Sequence, residues 1–512
     1  MPAAHRVIHN TYRDSVALMQ ISAEIAALPG VSQAALFMAT EANLALLRDA
    51  GLLQQPLLAA PSDLVAVVTG ESEDAVSLAL AEAERALSAP PAVRRGGAAI
   101  EQLARSSEMG LTQVPDANLA LISTPGEYAA AEALKALRLG LHVMLFSDNI
   151  SLADELTLKR AAARRGLLMM GPDCGTAIVA GVPLGFANAV RRGPVGVIGA
   201  SGTGTQQVTT LLDRAGVGVS HALGTGGRDL RVEIGGATML AALDELGADV
   251  DTRVIVLISK PPAPVVAEHV LARAKACEKP VVVCFLGAEA VTDPAANIFA
   301  AATLEQAAMI AAALARGDRP ERTCTAVTDF AAPSLVPEQK FLRGLFSGGT
   351  FCYEATLLLA RALTGVHSNT PVGAALDLGD VWRSRGHTLV DLGDDEFTRG
   401  RPHPMIDFRL RNERMLREAE DPEVAVILFD VVLGYGAHPD PAAELVPAIK
   451  VARTAATRPP AFVAFVCGSA GDPQGLARQE AALRAAGVIL AANNAAAART
   501  AAAILQNHGP PT

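Results

Sequence analysis

The sequence predicts a multidomain α/β protein built on parallel sheets, and three observations predict it. The chain has 512 residues, enough for roughly three or four domains of ordinary size. Half of its residues are hydrophobic and only 19% are charged, so sizeable cores can form and the bulk of the chain is not disordered. Strand-like apolar runs of about four to eight residues alternate with helical stretches from end to end, the pattern of layered α/β folds.

Four blocks follow one another. The first, residues 1–96, carries strand-like runs at Ala35–Met38 and Asp63–Val68 and helices at Val16–Ala27, Glu41–Ala50 and Glu73–Ala86. This suits a small ferredoxin-like or regulatory module, with partner docking as its default role. Arg94–Gly97 reads as a linker. The second block, 97–191, runs strand Leu119–Ile122, turn Ser123-Thr-Pro-Gly126, helix Tyr128–Leu139, strand Leu141–Phe146, helix Leu152–Arg165 and strand Leu167–Met170. That order is a nucleotide-binding-like βαβαβ half without a GxGxxG, whose turn could meet a diphosphate or be a plain turn.

The third block, 192–320, opens on strand Val195–Ile198, a turn Gly199–Thr205 and a helix Gln206–Ala215, and continues with strands Val254–Ser259 and Val281–Phe285. Thr323–Pro337, rich in Thr, Ala and Pro, separates it from the fourth, 338–506. There, strand Leu342–Phe346, turn Ser347–Thr350 and helix Tyr353–Ala362 are followed by helix Arg409–Ala419 and strands Val424–Asp430, Phe462–Cys467 and Val488–Ala492. The two blocks repeat one plan, down to Asp251-Thr-Arg-Val-Ile-Val-Leu-Ile in one and Asp421-Pro-Glu-Val-Ala-Val-Ile-Leu in the other, and read as a duplicated domain.

A Ser/Gly/Thr turn between a buried strand and a helix aims unpaired N–H groups and the positive end of the helix dipole at one point, where an anion belongs. Ser201, Gly202, Thr203, Gly204 and Thr205 form one such turn; Ser347, Gly348, Gly349 and Thr350 form the other. Ser and Thr also cap helices for purely local reasons, but two such turns on a duplicated domain could clamp one phosphate about a pseudo-two-fold axis. Lys260 and Asp430 follow at corresponding strand ends, one to neutralise a phosphate or carboxylate and the other to orient a donor such as an amide. Arg228, Arg399 and Arg401 are candidate anion clamps or solvated surface charges. His403 and His438 sit in glycine- and proline-containing loops, where a structural and a catalytic role are both open.

The formal net charge is −10, and without a basic patch nucleic acid is a poor partner. Mean hydropathy is +0.29, yet every apolar run is interrupted before the about 18 residues a membrane-spanning helix needs. The start, Met1–Ser15, has no apolar signal region. Six cysteines, Cys174, Cys277, Cys284, Cys324, Cys352 and Cys467, form no CxxC pair, which fits reduced thiols in a cytoplasmic protein; Cys352, beside the second turn, is the one to watch. His5 and His9 are the one HxxxH pair and have no adjacent carboxylate, so no metal is expected.

From about Ala99 onward the chain resembles the succinyl-CoA synthetase superfamily: a CoA-binding-like segment ending in Gly171-Pro-Asp-Cys-Gly175, then the two Ser-Gly-Thr turns. The resemblance implies a CoA-binding Rossmann-like domain and two flavodoxin-like CoA-ligase-type domains. More closely, His9-Asn-Thr-Tyr-Arg-Asp-Ser-Val16, Gly224–Leu230, Ser259-Lys-Pro-Pro262 and Asp391-Leu-Gly-Asp-Asp-Glu396 resemble the FdrA proteins. Where a synthetase carries its phosphorylated histidine, this chain reads Gly287-Ala-Glu-Ala-Val-Thr-Asp-Pro294, and Lys260 stands where the supporting glutamate would be. No ATP-grasp domain is recognisable. The FdrA resemblance implies a subunit of an oxamate carbamoyltransferase of allantoin breakdown, with carbamoyl phosphate as substrate, separately encoded partner subunits and self-association. The alternatives are an acyl-CoA synthetase subunit that uses CoA and a partner ATP-handling chain, and a non-catalytic anion-binding organiser.

Overall fold

The computed structural model describes residues 2–49, 51–53, 57–88, 104–288, 296–320, 327–328, 333, 335–399, 401–456 and 458–508. They divide into two compact units, Met1–Met169 with Asp395–Asp407, and Met170–Asp394 with Phe408–Thr512.

The first unit begins β1 (Ala3–Ile8), α1 (Ser15–Ala26), β2 (Val31–Met38), α2 (Glu41–Asp49), β3 (Leu64–Gly70) and α3 (Glu73–Ser88). The strands form an antiparallel sheet in the order β1-β3-β2. Alternate residues of β3 serve opposite faces. Leu64, Ala66 and Val68 pack with Leu18, Ile25 and Leu80 of α1 and α3, whereas Val65 and Val67 pack with Leu44 and Leu47 of α2. Strand β1 escaped the sequence reading because His5 and Arg6 are exposed and leave it no apolar run. The linker expected at Arg94–Gly97 lies outside the described residues.

Next come α4 (Ser107–Gln113), β4 (Leu119–Ile122), α5 (Gly126–Arg138), β5 (His142–Leu145), α6 (Leu152–Ala163) and β6 (Met169–Met170), with the sheet order β4-β5-β6. The Ser123–Gly126 turn is half-buried and tied to neighbouring segments. Ser123 O accepts from the Tyr12 hydroxyl at 3.3 Å, Thr124 O accepts from the Ser147 hydroxyl at 2.5 Å, and a Cβ on Gly126 would stand 2.4 Å from Asp148 O.

In the second unit, β7 (Thr176–Val179), β8 (Val182–Gly185), β9 (Arg192–Gly199), α7 (Gly202–Arg214), β10 (Val219–Gly224), α8 (Ala237–Ala248), β11 (Val254–Ser259), α9 (Pro264–Ala276), β12 (Val281–Phe285), β13 (Ile298–Ala300) and α10 (Leu304–Arg316) build the first repeat. Among the described residues its sheet has the order β13-β12-β11-β9-β10-β7-β8. The β7–β8 hairpin pairs antiparallel with β10 through Ala222 and Ile178, so it completes this sheet although the sequence division placed it in block 97–191.

The second repeat is β14 (Phe341–Phe346), α11 (Gly349–Ala362), β15 (Val366–Ser368), β16 (Leu376–Asp377), β17 (His387–Asp391), α12 (Asp395–Thr398, within the first unit), α13 (Arg409–Glu420), β18 (Val424–Val432), α14 (Pro441–Ala455), β19 (Ala461–Cys467), α15 (Leu476–Ala485), β20 (Ile489–Ala491) and α16 (Asn494–His508). Its order is β16-β15-β17-β14-β18-β19-β20. Strand β9 lies between β10 and β11, and β14 between β17 and β18, all parallel. Each repeat therefore has its switch point, where open α/β sheets bind ligands, at the strand that feeds α7 or α11.

Polar ties hold the repeats together. Arg214, at the end of α7, donates to Gly468 O and Val466 O at 3.0 and 2.6 Å. Asn188 reaches Asp472 at 2.8 Å, and Leu304 N of α10 donates to Glu354 of α11 at 2.8 Å.

Candidate functional site

The two turns open their helices earlier than the sequence implies. Gly and Thr are weak helix formers, which made Gly202–Thr205 and Gly349–Thr350 read as turn, but first-turn residues owe no N–H to the helix ladder. Helix α7 starts at Gly202 with Ser201 as N-cap, its hydroxyl accepting from Gly204 N at 3.0 Å. Helix α11 starts at Gly349.

The tips meet. Ser201 Oγ lies 2.5 Å from Thr350 Oγ1, and a Cβ on Gly348 would stand 3.0 Å from Thr203 Cγ2. Gly202 is exposed, while Ser201 and Gly349 are half-buried, so the junction is open to solvent.

Four of the nine turn residues are spent internally. Thr205 Oγ1 donates to Ser201 O at 2.7 Å, and Gly204 N serves the cap. Ser347 N, Ser347 Oγ and Gly348 N all donate to Asp430, at 2.7, 2.7 and 2.9 Å. Asp430 therefore does not end its strand. It lies inside β18, fully buried, and also receives Arg411 Nη1 on Oδ1 at 3.1 Å. Its carboxylate is the built-in anion of the α11 turn, so the donors it orients are those of Ser347, Gly348 and Arg411 and not a substrate amide. Ser201, Gly202, Thr203, Gly349 and Thr350 remain at the junction.

Lys260 leaves β11 in the first repeat and reaches the second, its ammonium 5.2 Å from the centroid of the Tyr353 ring on α11. Asp391, which no sequence argument named as a site residue, ends β17 beside the same tip. Its exposure is 7%, Oδ1 accepts from Gly393 N at 2.9 Å, and Oδ2 is aimed at Gly349, where an added Cβ would stand 2.5 Å from it. Burial pushes this carboxyl up to about 7, against the pull of Lys260. It was hidden because the sequence reading placed no element between helix Tyr353–Ala362 and helix Arg409–Ala419; the quoted run Asp391–Glu396 was the available signal.

The other candidates spread out. Arg228 is half-buried in the turn after β10, on the same sheet edge as the α7 tip because β10 pairs with β9 up to Gly224 and Gly199. The His438 ring accepts from Asp440 N at 3.1 Å, packs edge-on against Phe408 at the start of α13 and stands 4.0 Å from Glu444 of α14. Arg399, Arg401 and His403 fall in Asp395–Asp407, part of the first unit. Arg399 pairs with Glu396 at 4.0 Å, and His403 Nδ1 accepts from Met405 N at 3.2 Å. Cys352 is buried and its thiol is pushed up to about 12, which removes it as a nucleophile.

Comparison with known proteins places the chain. It is 45% identical over 497 residues, covering 94% of its length and 95% of the relative, to the uncharacterized protein YahF of Escherichia coli (strain K12). The chain belongs to the YahF family. Within this YahF-family chain, an AllF heavy metal-associated domain matches residues 1–103, a CoA binding domain 190–287 and a CoA-ligase domain 345–504. The CoA-binding match thus falls on the first repeat, whereas the sequence division had put that domain type at 97–191. A mitochondrial ADP-forming succinate–CoA ligase subunit alpha-2 of Trichomonas vaginalis is 30% identical over 183 residues, which cover 34% of this chain and 58% of that one. Among solved structures, a dinucleotide-forming acetyl-coenzyme A synthetase 1 of Ca. Korarchaeum cryptofilum aligns with 77% of the chain and 84% of its own at 16% identity and a TM-score of 0.33. The CoA-binding and CoA-ligase matches together fall on the two repeats, and the heavy metal-associated match falls on the small N-terminal domain.

A heavy-metal role does not fit the N-terminal residues. The first cysteine is Cys174, and among the described residues no group of three His, Cys, Asp or Glu could hold an ion. His5 is on β1 and His9 just past its end, so strand rise separates them by about 13 Å. His9 is also engaged with Asp63 at 3.1 Å. No described helix is long and apolar enough to cross a membrane.

Proposed function

We propose that this chain is the phosphate-handling subunit of an acyl-CoA synthetase-like enzyme that uses a ready-made acyl phosphate, with a separate partner chain supplying ATP-dependent activation. The observation that carries the reading is the meeting of Ser201 and Thr350, which brings two helix N-termini at two switch points to one spot. The phosphoryl group would lie on the first-turn N–H groups of Gly202, Thr203, Gly349 and Thr350 and the two hydroxyls, with the Lys260 ammonium balancing its charge. The acceptor, the thiol of CoA, attacks the acyl carbon; the new C–S bond forms as the C–O bond to phosphorus breaks, and phosphate leaves with the electron pair. These donors are fixed by the fold before substrate arrives, so they stabilise the departing phosphate without reorganising.

A second reading, the FdrA-type carbamoyltransferase, is favoured by the absence of any histidine in Gly287–Pro294 and by Lys260 in place of a carboxylate. Phosphate then leaves carbamoyl phosphate while the oxamate nitrogen takes the carbamoyl group. In either reading the chain works in a cytoplasmic hetero-oligomer, self-associates and carries no phosphohistidine.

The test is to purify the chain with its co-purifying partners and assay it two ways. CoA-dependent release of phosphate from acetyl phosphate supports the first reading, and phosphate-dependent breakdown of oxalurate supports the second. Ser201→Glu should abolish whichever is seen, because a carboxylate would occupy the anion's place. Partner activity untouched by Ser201→Glu, with no transfer in either assay, would leave only an organising role.

A further inference from the structure

The reactive difficulty in using an acyl phosphate lies at the leaving group. An acyl phosphate dianion has no proton on its phosphoryl oxygens at neutral pH, so breaking the C–O bond would expel a phosphate trianion, a far poorer leaving group than monohydrogen phosphate. Backbone N–H groups can spread this charge, but they cannot give up a proton. A group that can must be protonated near neutral pH and within reach of the phosphoryl oxygens.

Resting on the anion site proposed above, we propose that Asp391 is the general acid of this reaction, holding one proton between its Oδ2 and a phosphoryl oxygen and passing it to the phosphate as that group departs. Three observations converge on it. Asp391 stands at the carboxyl end of β17, next to the strand that feeds α11, because Phe346 pairs with Asp391. Its backbone is clamped from both sides by Asn369, whose Oδ1 accepts from Asp391 N at 2.9 Å and whose Nδ2 donates to Asp391 O at 3.0 Å. Its Oδ1 is tied to Gly393 N, while Oδ2, in a side chain 7% exposed, points at the first residue of α11.

The surroundings favour the protonated form without fixing it. Burial pushes the carboxyl up, Lys260 from β11 and the Gly393 N–H pull it down, Asp394 in the following turn and Asp430 on β18 add to the upward push, and the Cys352 thiol on α11 stays neutral. A second anion arriving at the tip disfavours the carboxylate further, so a dianion and a protonated Asp391 bind together. The cycle balances. The Asp391 proton goes to the leaving phosphate, which departs as monohydrogen phosphate; the acceptor's S–H or N–H proton is lost as its bond to the acyl carbon forms, and it returns the carboxylate to the acid.

Calorimetry with two inorganic probes tests this without turnover. Sulfate stays a dianion and must find its proton on the protein, whereas monohydrogen phosphate brings its own. Titrated between pH 7 and 9 in two buffers of different ionisation heat, the wild-type chain should take up close to one proton with sulfate and none with phosphate. Sulfate affinity should fall about tenfold per pH unit, as linkage to one proton requires, while phosphate affinity stays level. In Asp391→Asn, whose amide donates to either anion, proton uptake and the preference for phosphate should both vanish. Lys260→Gln should move the sulfate midpoint to higher pH, and gives a second variant should Asp391→Asn not fold. Sulfate binding without proton uptake, or uptake that survives Asp391→Asn, overturns the general acid while the anion site stands. Failure of both anions to bind removes the site and the general acid together.

Discussion

Asp430 accepts two backbone N–H groups and a hydroxyl from the α11 turn and a guanidinium from Arg411, in a pocket where both side chains are fully buried. Removing its charge leaves Arg411 uncompensated and the turn without its acceptor. Asp430→Ala is therefore expected to cost about 3–5 kcal/mol, the range for breaking a buried pair, measured by urea unfolding; a loss below about 1 kcal/mol would contradict the positioning role. Ser201 is different. Ser201→Ala removes a cap that is worth about 1 kcal/mol, so the chain should stay folded while Ser201→Glu, equally folded, no longer binds phosphate in the same titration. At this scale the sequence told which residue types gather, since Ser201, Thr350 and Lys260 do stand around one tip. It could not tell which hydrogen bonds are already taken, because Asp430 and Thr205 look equally available until their partners are placed.

Helix α11 links the anion site to the rest of the second unit. Its Glu354 is buried; one oxygen accepts from Leu304 N at the start of α10 at 2.8 Å, and the other from Asn494 of α16 at 2.7 Å. Burial pushes the carboxyl up to about 7, Glu305 adds to this, and the Leu304 and Asn494 bonds oppose it. A folded-state value raised above the unfolded one means that the folded chain holds the extra proton. Its stability contribution is present below the ordinary carboxylate range and is lost as pH rises through about 7. Urea unfolding between pH 5 and 9 should therefore show stability declining with pH, and Glu354→Gln should flatten the decline, though not abolish it, since Asp391 shifts the same way. An unchanged slope in Glu354→Gln would assign the decline elsewhere. Strands such as Val254–Ser259 and Val281–Phe285 were legible to the residue because they are buried on both faces and read as unbroken apolar runs. Strand β10 (Val219–Gly224) and β17 were not. Each carries a histidine and ends where glycine and polar residues make it look like loop.

The second unit repeats one α/β plan twice, and the repeat was legible because both copies keep the order of strand, Ser-Gly-Thr turn and helix around a central apolar strand. The division of the chain into units was less so. Neither the docking of Thr176–Gly185 onto the first repeat's sheet nor the return of Asp395–Asp407 to the first unit leaves a local signal, because both depend on partners distant in sequence. That return carries Arg399, Arg401 and His403 into a unit other than the one holding the helix tips. The duplicated architecture matters for function only if its two helix N-termini serve one ligand. Soaking a crystal with tungstate, an electron-dense phosphate mimic, and locating it by anomalous scattering tests this most directly. The account predicts one site within hydrogen-bond distance of both the Ser201 and Thr350 hydroxyls, lost in Ser201→Glu. Tungstate bound elsewhere, or at only one tip and indifferent to Ser201→Glu, would contradict it.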